Sequence, residues 1–182
     1  MIRSALFVIV SAGIVGVSWR SLRVPRSHGF FRFFAFELLA ALILLNVPVW
    51  FRDPFCARQL AAWFFLVSSA GLAIEGFRLL RKTGNPVEPA AGDAKLAFEN
   101  TTTLVTTGLY RVIRHPLYAS LLALGWGASL KRVSMVRVAL ALAATAFLFA
   151  TSVVEERENL ARFGSSYAAY LKTSQRFVPF LF

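Results

Sequence analysis

The residue types best suited to chemistry lie in two short segments of the C-terminal half. The first segment contains Gly108, Tyr110, Arg111, Arg114, His115, Pro116 and Tyr118. Proline at a first helical position predicts a helix start at Pro116, and free N–H groups there attract anions, as do the two arginines. Tyrosine rings hold a cation such as a sulfonium or quaternary ammonium group. This segment therefore predicts a site for a small ligand with both a carboxylate and a cation.

The second segment is acidic, with Glu155, Glu156 and Glu158 falling within four positions. It follows the last long apolar run, and we expect it to return to the same layer as the two arginines. Glu155 and Glu156 are candidates to belong to the same site. The alternative is a salt-bridge cluster that docks an amphipathic C-terminal helix.

The elements that position these segments are predicted to be membrane helices. Hydrophobic residues make up 57% of the chain and the mean hydropathy is +0.62, which is too apolar for a soluble domain. Five apolar runs reach or approach the roughly 20 residues that cross a bilayer as a helix. They lie between Arg3 and Arg20, Arg32 and Arg52, Arg58 and Arg78, Pro116 and Leu130, and Val133 and Val154.

We therefore expect an all-α polytopic membrane protein with about five transmembrane helices and a cytoplasmic C-terminal helix. The fourth run is short, so the last two helices either cross a thinned bilayer or form a helical hairpin that does not fully cross. The prediction is one domain over residues 1–182. Residues 1–80 supply three transmembrane helices, and residues 81–182 supply the cofactor-binding region with two further membrane helices.

The basic residues predict the orientation. A net charge of +11 could indicate nucleic acid, but lysine and arginine stand at the ends of the apolar runs, where they meet anionic lipid headgroups. Fourteen of the twenty fall on one side of the predicted membrane. Because basic residues accumulate in cytoplasmic loops, that side is predicted to be cytoplasmic, with the C-terminus and the site there and the N-terminus outside.

The remaining polar residues suggest further roles. Glu37 and Glu75 lie inside apolar runs, where a carboxylate is costly, so each is a candidate general base. The alternative is that Glu75 pairs with Arg78, and Glu37 with Arg32 or a neighbouring helix. Residues 83–103 form one long loop, rich in Gly, Pro and Asn, that is typical of a lid or a binding loop. Cys56 is the single cysteine and only two histidines accompany it, so no metal site is expected.

The two C-terminal segments resemble integral-membrane methyltransferases, a group that includes isoprenylcysteine carboxyl methyltransferases and phospholipid methyltransferases. The motif Gly-x-Tyr-Arg-x-x-Arg-His-Pro-x-Tyr is matched from Gly108 to Tyr118. Glu155-Glu156 is followed by Leu160, Phe163-Gly164, Tyr167, Tyr170, Arg176 and Pro179 in the matching order. The resemblance covers about 80 residues at the C-terminal end of the 182-residue chain.

This resemblance implies that S-adenosylmethionine binds on the cytoplasmic side and that a lipid-like or prenylated acceptor arrives from the bilayer. The reaction would be isoprenylcysteine carboxyl O-methylation or phospholipid N-methylation. The implied cofactor-binding residues are Tyr110, Arg111, Arg114, His115, Pro116, Tyr118, Glu155 and Glu156. Arg176, in an apolar tail, is a candidate to meet an anionic group on the acceptor, the alternative being an interfacial anchor. The other two catalytic candidates are Glu75 and Glu37.

Two other functions remain compatible with the sequence. A membrane reductase of the sterol type has a similar C-terminal region but binds NADPH. A non-catalytic lipid-binding scaffold would use the Arg111, Arg114 and His115 cluster for headgroups and the acidic segment for a partner.

Overall fold

Six α-helices make up the described fold. The computed structural model describes residues 2–87, 96 and 99–179. The helices are α1 (Ile2–Leu22), α2 (His28–Asn46), α3 (Ala57–Thr83), α4 (Pro116–Lys131), α5 (Met135–Phe163) and α6 (Ser165–Thr173). Short 3₁₀ helices cover Val47–Val49 and Gly108–Arg111. The described residues include isolated β-bridges but no named strand, and the prediction of an all-α polytopic membrane protein is confirmed.

Four segments of the described structure are long and apolar enough to cross a membrane, where about five crossings were predicted. They are Ile2–Leu22, His28–Val49, Ala57–Thr83 and Met135–Phe163. The predicted fourth crossing is the short helix α4, whose 16 residues span about 24 Å at about 1.5 Å per residue. A bilayer core is about 30 Å thick, so α4 is too short to cross it unless the bilayer is locally thinned.

Helix α4 packs against α3, α5 and α2, and its C-terminal end is capped from α3. Arg58 Nη1 donates to Leu130 O at 2.6 Å, and Gln59 Nε2 donates to Lys131 O at 3.2 Å. A cation at a helix C-terminus also offsets the helix dipole. Arg58 was expected to be one of the membrane anchors. In the structure it instead donates to a backbone carbonyl at the C-terminal end of α4.

Helix α5 is longer than predicted. The apolar run was expected to end at Val154, with the acidic segment following it, but the helix continues to Phe163 because no glycine or proline interrupts it. It ends at Gly164, whose φ of 56° is unfavourable for residues with a Cβ. The three glutamates of the acidic segment therefore project from α5 itself.

The termini of five helices meet at one end of the bundle, which we call the site end. It holds the end of α3, the start of α4, the end of α5, the start of α2 and the short helix α6. The core beneath it contains Ala35 of α2, Tyr118 of α4 and Leu148 of α5. Helix α1 packs on α2 and leaves most of its side chains exposed, as expected for a helix that faces lipid.

Candidate active site

A pocket opens at the site end of the bundle. Its empty volume, open mouth included, is about 630 Å³. Its walls come from the end of α3, the segment before α4, the start of α4, the end of α5, and α6. Four tyrosines line it: Tyr110, Tyr118, Tyr167 and Tyr170.

The first wall is the 3₁₀ helix that carries Tyr110. Gly108 begins it with φ +59°, a conformation that favours glycine, and a Cβ there would also displace the end of the Leu79 side chain, which would lie 2.8 Å away. The Tyr110 hydroxyl lies 3.5 Å from Gly76 O, and the Tyr170 hydroxyl donates to Tyr110 O. These contacts fix both rings in the pocket wall.

Burial keeps the phenol groups neutral. It raises the pKa of Tyr110 and Tyr167 well above the ordinary value and raises the pKa of Tyr170 to about 12. Neutral phenols offer an apolar face and a hydrogen bond but no negative charge at neutral pH. These three rings are therefore suited to contact a ligand, not to act as bases.

The start of α4 presents backbone donors to the pocket. The first helical hydrogen bond runs from Ala119 N to His115 O at 2.9 Å, and Pro116 has no N–H. The N–H groups of Leu117 and Tyr118 precede that bond, so they have no partner within the helix. Both residues line the pocket. The predicted helix start at Pro116 is thus present in the pocket wall.

His115 stands between two carboxylates of α5. Its Nδ1 lies 3.7 Å from Glu155 Oε2, and its Nε2 lies 3.4 Å from Glu156 Oε1. The ring is buried and stacks on Tyr118, with ring centroids 5.4 Å apart. Glu155 lines the pocket, and its buried Oε2 has no hydrogen-bond partner among the described residues. We call His115, Glu155 and Glu156 the His115 set.

Glu156 lies behind the pocket and joins three basic side chains. Besides His115, it accepts from Arg114 Nε at 2.9 Å and from Arg176 at 3.1 Å (Nε) and 2.6 Å (Nη2). Arg114 Nη1 also donates to Ser174 O. Glu156 and the two arginines therefore tie the segment before α4, α5 and the C-terminal segment together.

Backbone pairing brings the C-terminal segment to this position. Gln175 N donates to Val112 O at 2.8 Å, and Arg114 N donates to Gln175 O at 2.7 Å. His115 N donates to Arg176 O at 3.1 Å. Arg176 is thus aligned beside the motif, and its guanidinium also lies over the Phe149 ring at 4.8 Å.

The structure brings most of the predicted cofactor-binding residues together. Six of them line the pocket: Tyr110, Arg114, His115, Pro116, Tyr118 and Glu155. Glu156 contacts two of these six from behind. Arg111 is exposed and does not line the pocket.

The three predicted catalytic residues lie outside the pocket lining. Arg176 contacts Glu156, as described above. Glu75 pairs with Arg78 at 3.2 Å and its side chain is 38% exposed. Glu37 accepts from Ser11 Oγ at 2.6 Å, between α1 and α2, and its Oε1 has no partner. Glu37 lies two residues from the buried Ala35 and so projects from nearly the opposite side of α2.

A second buried charge cluster was not predicted. His28 Nδ1 lies 2.7 Å from Glu158 Oε2, and His28 Nε2 lies 3.5 Å from Glu99 Oε2. Arg32 donates to the other oxygen of Glu99. We call His28, Glu99 and Glu158 the His28 set. Glu99 lines the pocket, so this set reaches it from α2.

The sequence held a partial signal for this second cluster. His28 and Arg32 stand four residues apart, on one face of α2. Arg32 was counted among the basic residues at the membrane surface, but it is only 2% exposed. Burial would raise the pKa of Glu99, but the charge of Arg32 and the contact with His28 lower it to about 2. No pattern in the sequence distinguishes Glu99 from other loop residues.

The predicted lid can be described only in part. Residues 88–95, 97 and 98 lie outside the described residues. At the base of the loop, Val87 N donates to Asn100 O at 3.0 Å, and Arg162 of α5 donates to Asn100 Oδ1 at 2.7 Å. Asn100, which lies between the pocket residues Glu99 and Thr101, is therefore hydrogen-bonded both to α5 and to the start of the loop.

Comparison with known proteins identifies the family. The model of the phospholipid methyltransferase family matches residues 57–166, which is more than half of the 182-residue chain and includes α3, α4 and α5. No curated protein and no solved structure gave a significant match. The matched region contains the Tyr110 to Tyr118 motif and all three glutamates of α5. The chain belongs to the phospholipid methyltransferase family and is an integral membrane protein.

Proposed function

We propose that this protein is an S-adenosylmethionine-dependent methyltransferase that methylates the amine headgroup of a membrane lipid. The observation that carries the proposal is the pocket between α3, α4 and α5, which is lined by the first residues of α4, by the Glu155 side chain and by four tyrosines. The family match supports the methyltransferase class, and the pocket chemistry supports the choice of donor and acceptor.

The residues present fit the methyl donor. Its carboxylate suits the N–H groups of Leu117 and Tyr118, because a helix start attracts anions. Its ammonium group suits Glu155 Oε2, which is buried, has no hydrogen-bond partner among the described residues and lies 3.7 Å from His115 Nδ1. The tyrosine faces suit a sulfonium group. When bound, S-adenosylmethionine would supply an electrophilic methyl group.

The other motif residues would hold this arrangement in place. His115 lies against Glu155 and stacks on Tyr118, so it fixes a side chain on each side of the pocket. Arg114 and Arg176 hold Glu156, and Glu156 contacts His115. Methyl transfer depends mainly on alignment of donor and acceptor and on exclusion of water, and these contacts support both.

The charge of the pocket favours an amine acceptor over a carboxylate. Among the described residues, the fixed charges in the pocket lining are Glu99, Glu155 and Arg114. Arg114 already donates to Glu156 and to backbone carbonyls. A carboxylate acceptor would face two negative groups and an engaged guanidinium, whereas an ammonium headgroup is attracted to both carboxylates.

We further propose that the site end of the bundle faces the cytoplasm, which rests on the distribution of basic residues. Cys56 offers a direct test because it is exposed at the opposite end. A membrane-impermeant maleimide should label wild-type protein in intact cells, and Cys56→Ala should abolish the signal. Labelling only after the cells are broken would reverse the orientation.

The cofactor is tested by thermal stability of the purified protein. S-adenosylhomocysteine should raise the melting temperature in a concentration-dependent way, because a ligand that binds only the folded state stabilises it. NADPH should not. Stabilisation by NADPH alone would favour a sterol-type reductase, and no effect of either ligand would favour the non-catalytic scaffold.

The acceptor is tested with labelled S-adenosylmethionine in vesicles. We expect label in a lipid with a primary amine headgroup and none in a matched lipid whose headgroup is already quaternary. Label in a prenylated carboxylate instead would overturn the amine assignment while leaving the methyltransferase class intact.

A further inference from the structure

The start of α2 contacts the segment that forms one wall of the pocket. Four residues of this wall line the pocket: Glu99, Thr101, Leu104 and Val105. Arg32 donates to Glu99 Oε1, and His28 Nε2 lies 3.5 Å from Glu99 Oε2. Arg32 and His28 are each 2% exposed. The attachment of the wall to α2 is therefore buried, where water screens it little.

Both oxygens of the Glu99 carboxylate are bonded within the protein. Besides facing His28, Oε2 accepts from Leu96 N at 3.1 Å, and Glu99 N donates to Leu96 O at 2.9 Å. Although burial raises it, the pKa of Glu99 falls to about 2 beside Arg32 and His28, so the carboxylate is ionised. An ionised carboxylate held on both oxygens is suited to fix the backbone around it, not to act as a base.

The same wall is attached to α5. His28 Nδ1 lies 2.7 Å from Glu158 Oε2, and His28 N donates to Glu158 Oε1 at 3.1 Å. Because carboxylates only accept, a ring that faces one on each nitrogen is suited to the doubly protonated, positively charged form. Asn100, the neighbour of Glu99, accepts from Arg162 of α5 at 2.7 Å. Two adjacent residues of the wall thus connect it to α2 and α5.

We propose that His28 and Arg32 are positioning residues of the methyl-donor site, a proposal that rests on the proposed function for the identity of the ligand. They hold Glu99, and Glu99 fixes residues 99–105 as a preformed wall of the pocket. A preformed wall favours binding because ordering a loop on association costs affinity. The family match covers residues 57–166, so it includes the wall but not the helix that holds it.

Hydrogen–deuterium exchange of the ligand-free protein in detergent micelles tests the attachment itself. The amides of residues 100–103 are all hydrogen-bonded. Arg32→Gln and Glu99→Gln should each speed their exchange, and Arg32→Lys should restore part of the protection because it keeps the charge. Arg137→Gln is the matched control, since Arg137 Nε donates to Asn46 Oδ1 at 2.9 Å and joins α2 to α5 at the opposite end. It should leave exchange at 100–103 unchanged.

Affinity for S-adenosylhomocysteine, measured by calorimetry, connects the attachment to the site. Arg32→Gln and His28→Gln should each weaken binding roughly tenfold, because the wall must then be ordered at each binding event. At saturating S-adenosylmethionine, kcat should change little and KM should carry the effect, since no group at the reacting atoms is altered. For Glu99→Gln the matched control is Asp53→Asn, which removes a carboxylate from a loop at the opposite end.

The outcomes separate this proposal from the proposed function. Unchanged exchange at residues 100–103 in both Arg32→Gln and Glu99→Gln would overturn the attachment. Faster exchange with unchanged S-adenosylhomocysteine affinity would overturn its role in the site, as would an equal loss of affinity in Arg137→Gln. If Arg32→Gln does not fold, Arg32→Lys and His28→Gln decide by the same measurements. Wild-type protein that binds no S-adenosylhomocysteine would overturn the proposed function, and the exchange result would still decide the attachment.

Discussion

The His115 set and the His28 set contain the same residue types but differ in what surrounds them. Around His115, Arg114 of the motif and Arg176 of the C-terminal segment both donate to Glu156. Around His28, Arg32 donates to Glu99, and Glu158 stays partly exposed. Guanidinium groups on the far carboxylate favour a fixed structure, whereas a partly exposed carboxylate is screened by water. The neighbours of each histidine thus determine how strongly its ion pairs hold the surrounding elements together.

The largest expected difference between the sets is in stability. Glu156→Gln should destabilise the protein by about 3–5 kcal/mol, because it leaves two partly buried arginines without their carboxylate. Glu158→Gln should cost about 1 kcal/mol, since its side chain is 30% exposed and solvent weakens the interaction. Denaturant unfolding in detergent micelles measures both, and equal losses would contradict the distinction between the sets.

The next difference is in cofactor affinity. Glu155→Gln should weaken S-adenosylhomocysteine binding roughly 10- to 150-fold, because a lost charge-assisted hydrogen bond costs roughly 1.5–3 kcal/mol. His115→Ala should weaken it as well, by releasing Glu155. Calorimetry on both variants, with Asp53→Asn as control, tests this. Unchanged affinity in both would remove the His115 set from the cofactor site.

A smaller effect is expected at Arg176, and it distinguishes two roles. Contact with the acceptor predicts that Arg176→Lys loses activity but keeps its cofactor affinity. The structure instead joins Arg176 to Glu156, so the substitution should weaken cofactor binding up to about tenfold, through loss of one of two charge-assisted bonds. Measured cofactor affinity and methyl-transfer rate decide between these roles.

A separate expected effect is a pH dependence of stability at Glu99. Its pKa falls from an ordinary 4.5 to about 2 on folding, so its ionised form stabilises the native state. The stability lost in Glu99→Gln should therefore be fully present above about pH 4.5 and should disappear as pH falls through about 2. Melting temperatures of wild type and variant across this range test it, and a constant difference would contradict the ion-pair account.

Much of the membrane architecture follows from local sequence. Apolar runs of about 20 residues can bury their backbone hydrogen bonds in lipid only as helices, so the all-α fold is determined without knowledge of tertiary contacts. The motif from Gly108 to Tyr118 also predicted a helix start at Pro116, because proline favours that position. These predictions depend on residues close together in the chain.

The tertiary structure decided which charged residues meet. Arg32 and Arg58 have the sequence signature of membrane anchors, yet one binds a loop carboxylate and the other caps α4. Glu99 reaches the pocket because α2, which lies outside the family match, supplies its partners. Ion pairs between residues 67 or 130 positions apart leave no periodic pattern in a sequence. Only the packing of α2 and α5 around the pocket determines that His28 connects Glu99 to Glu158.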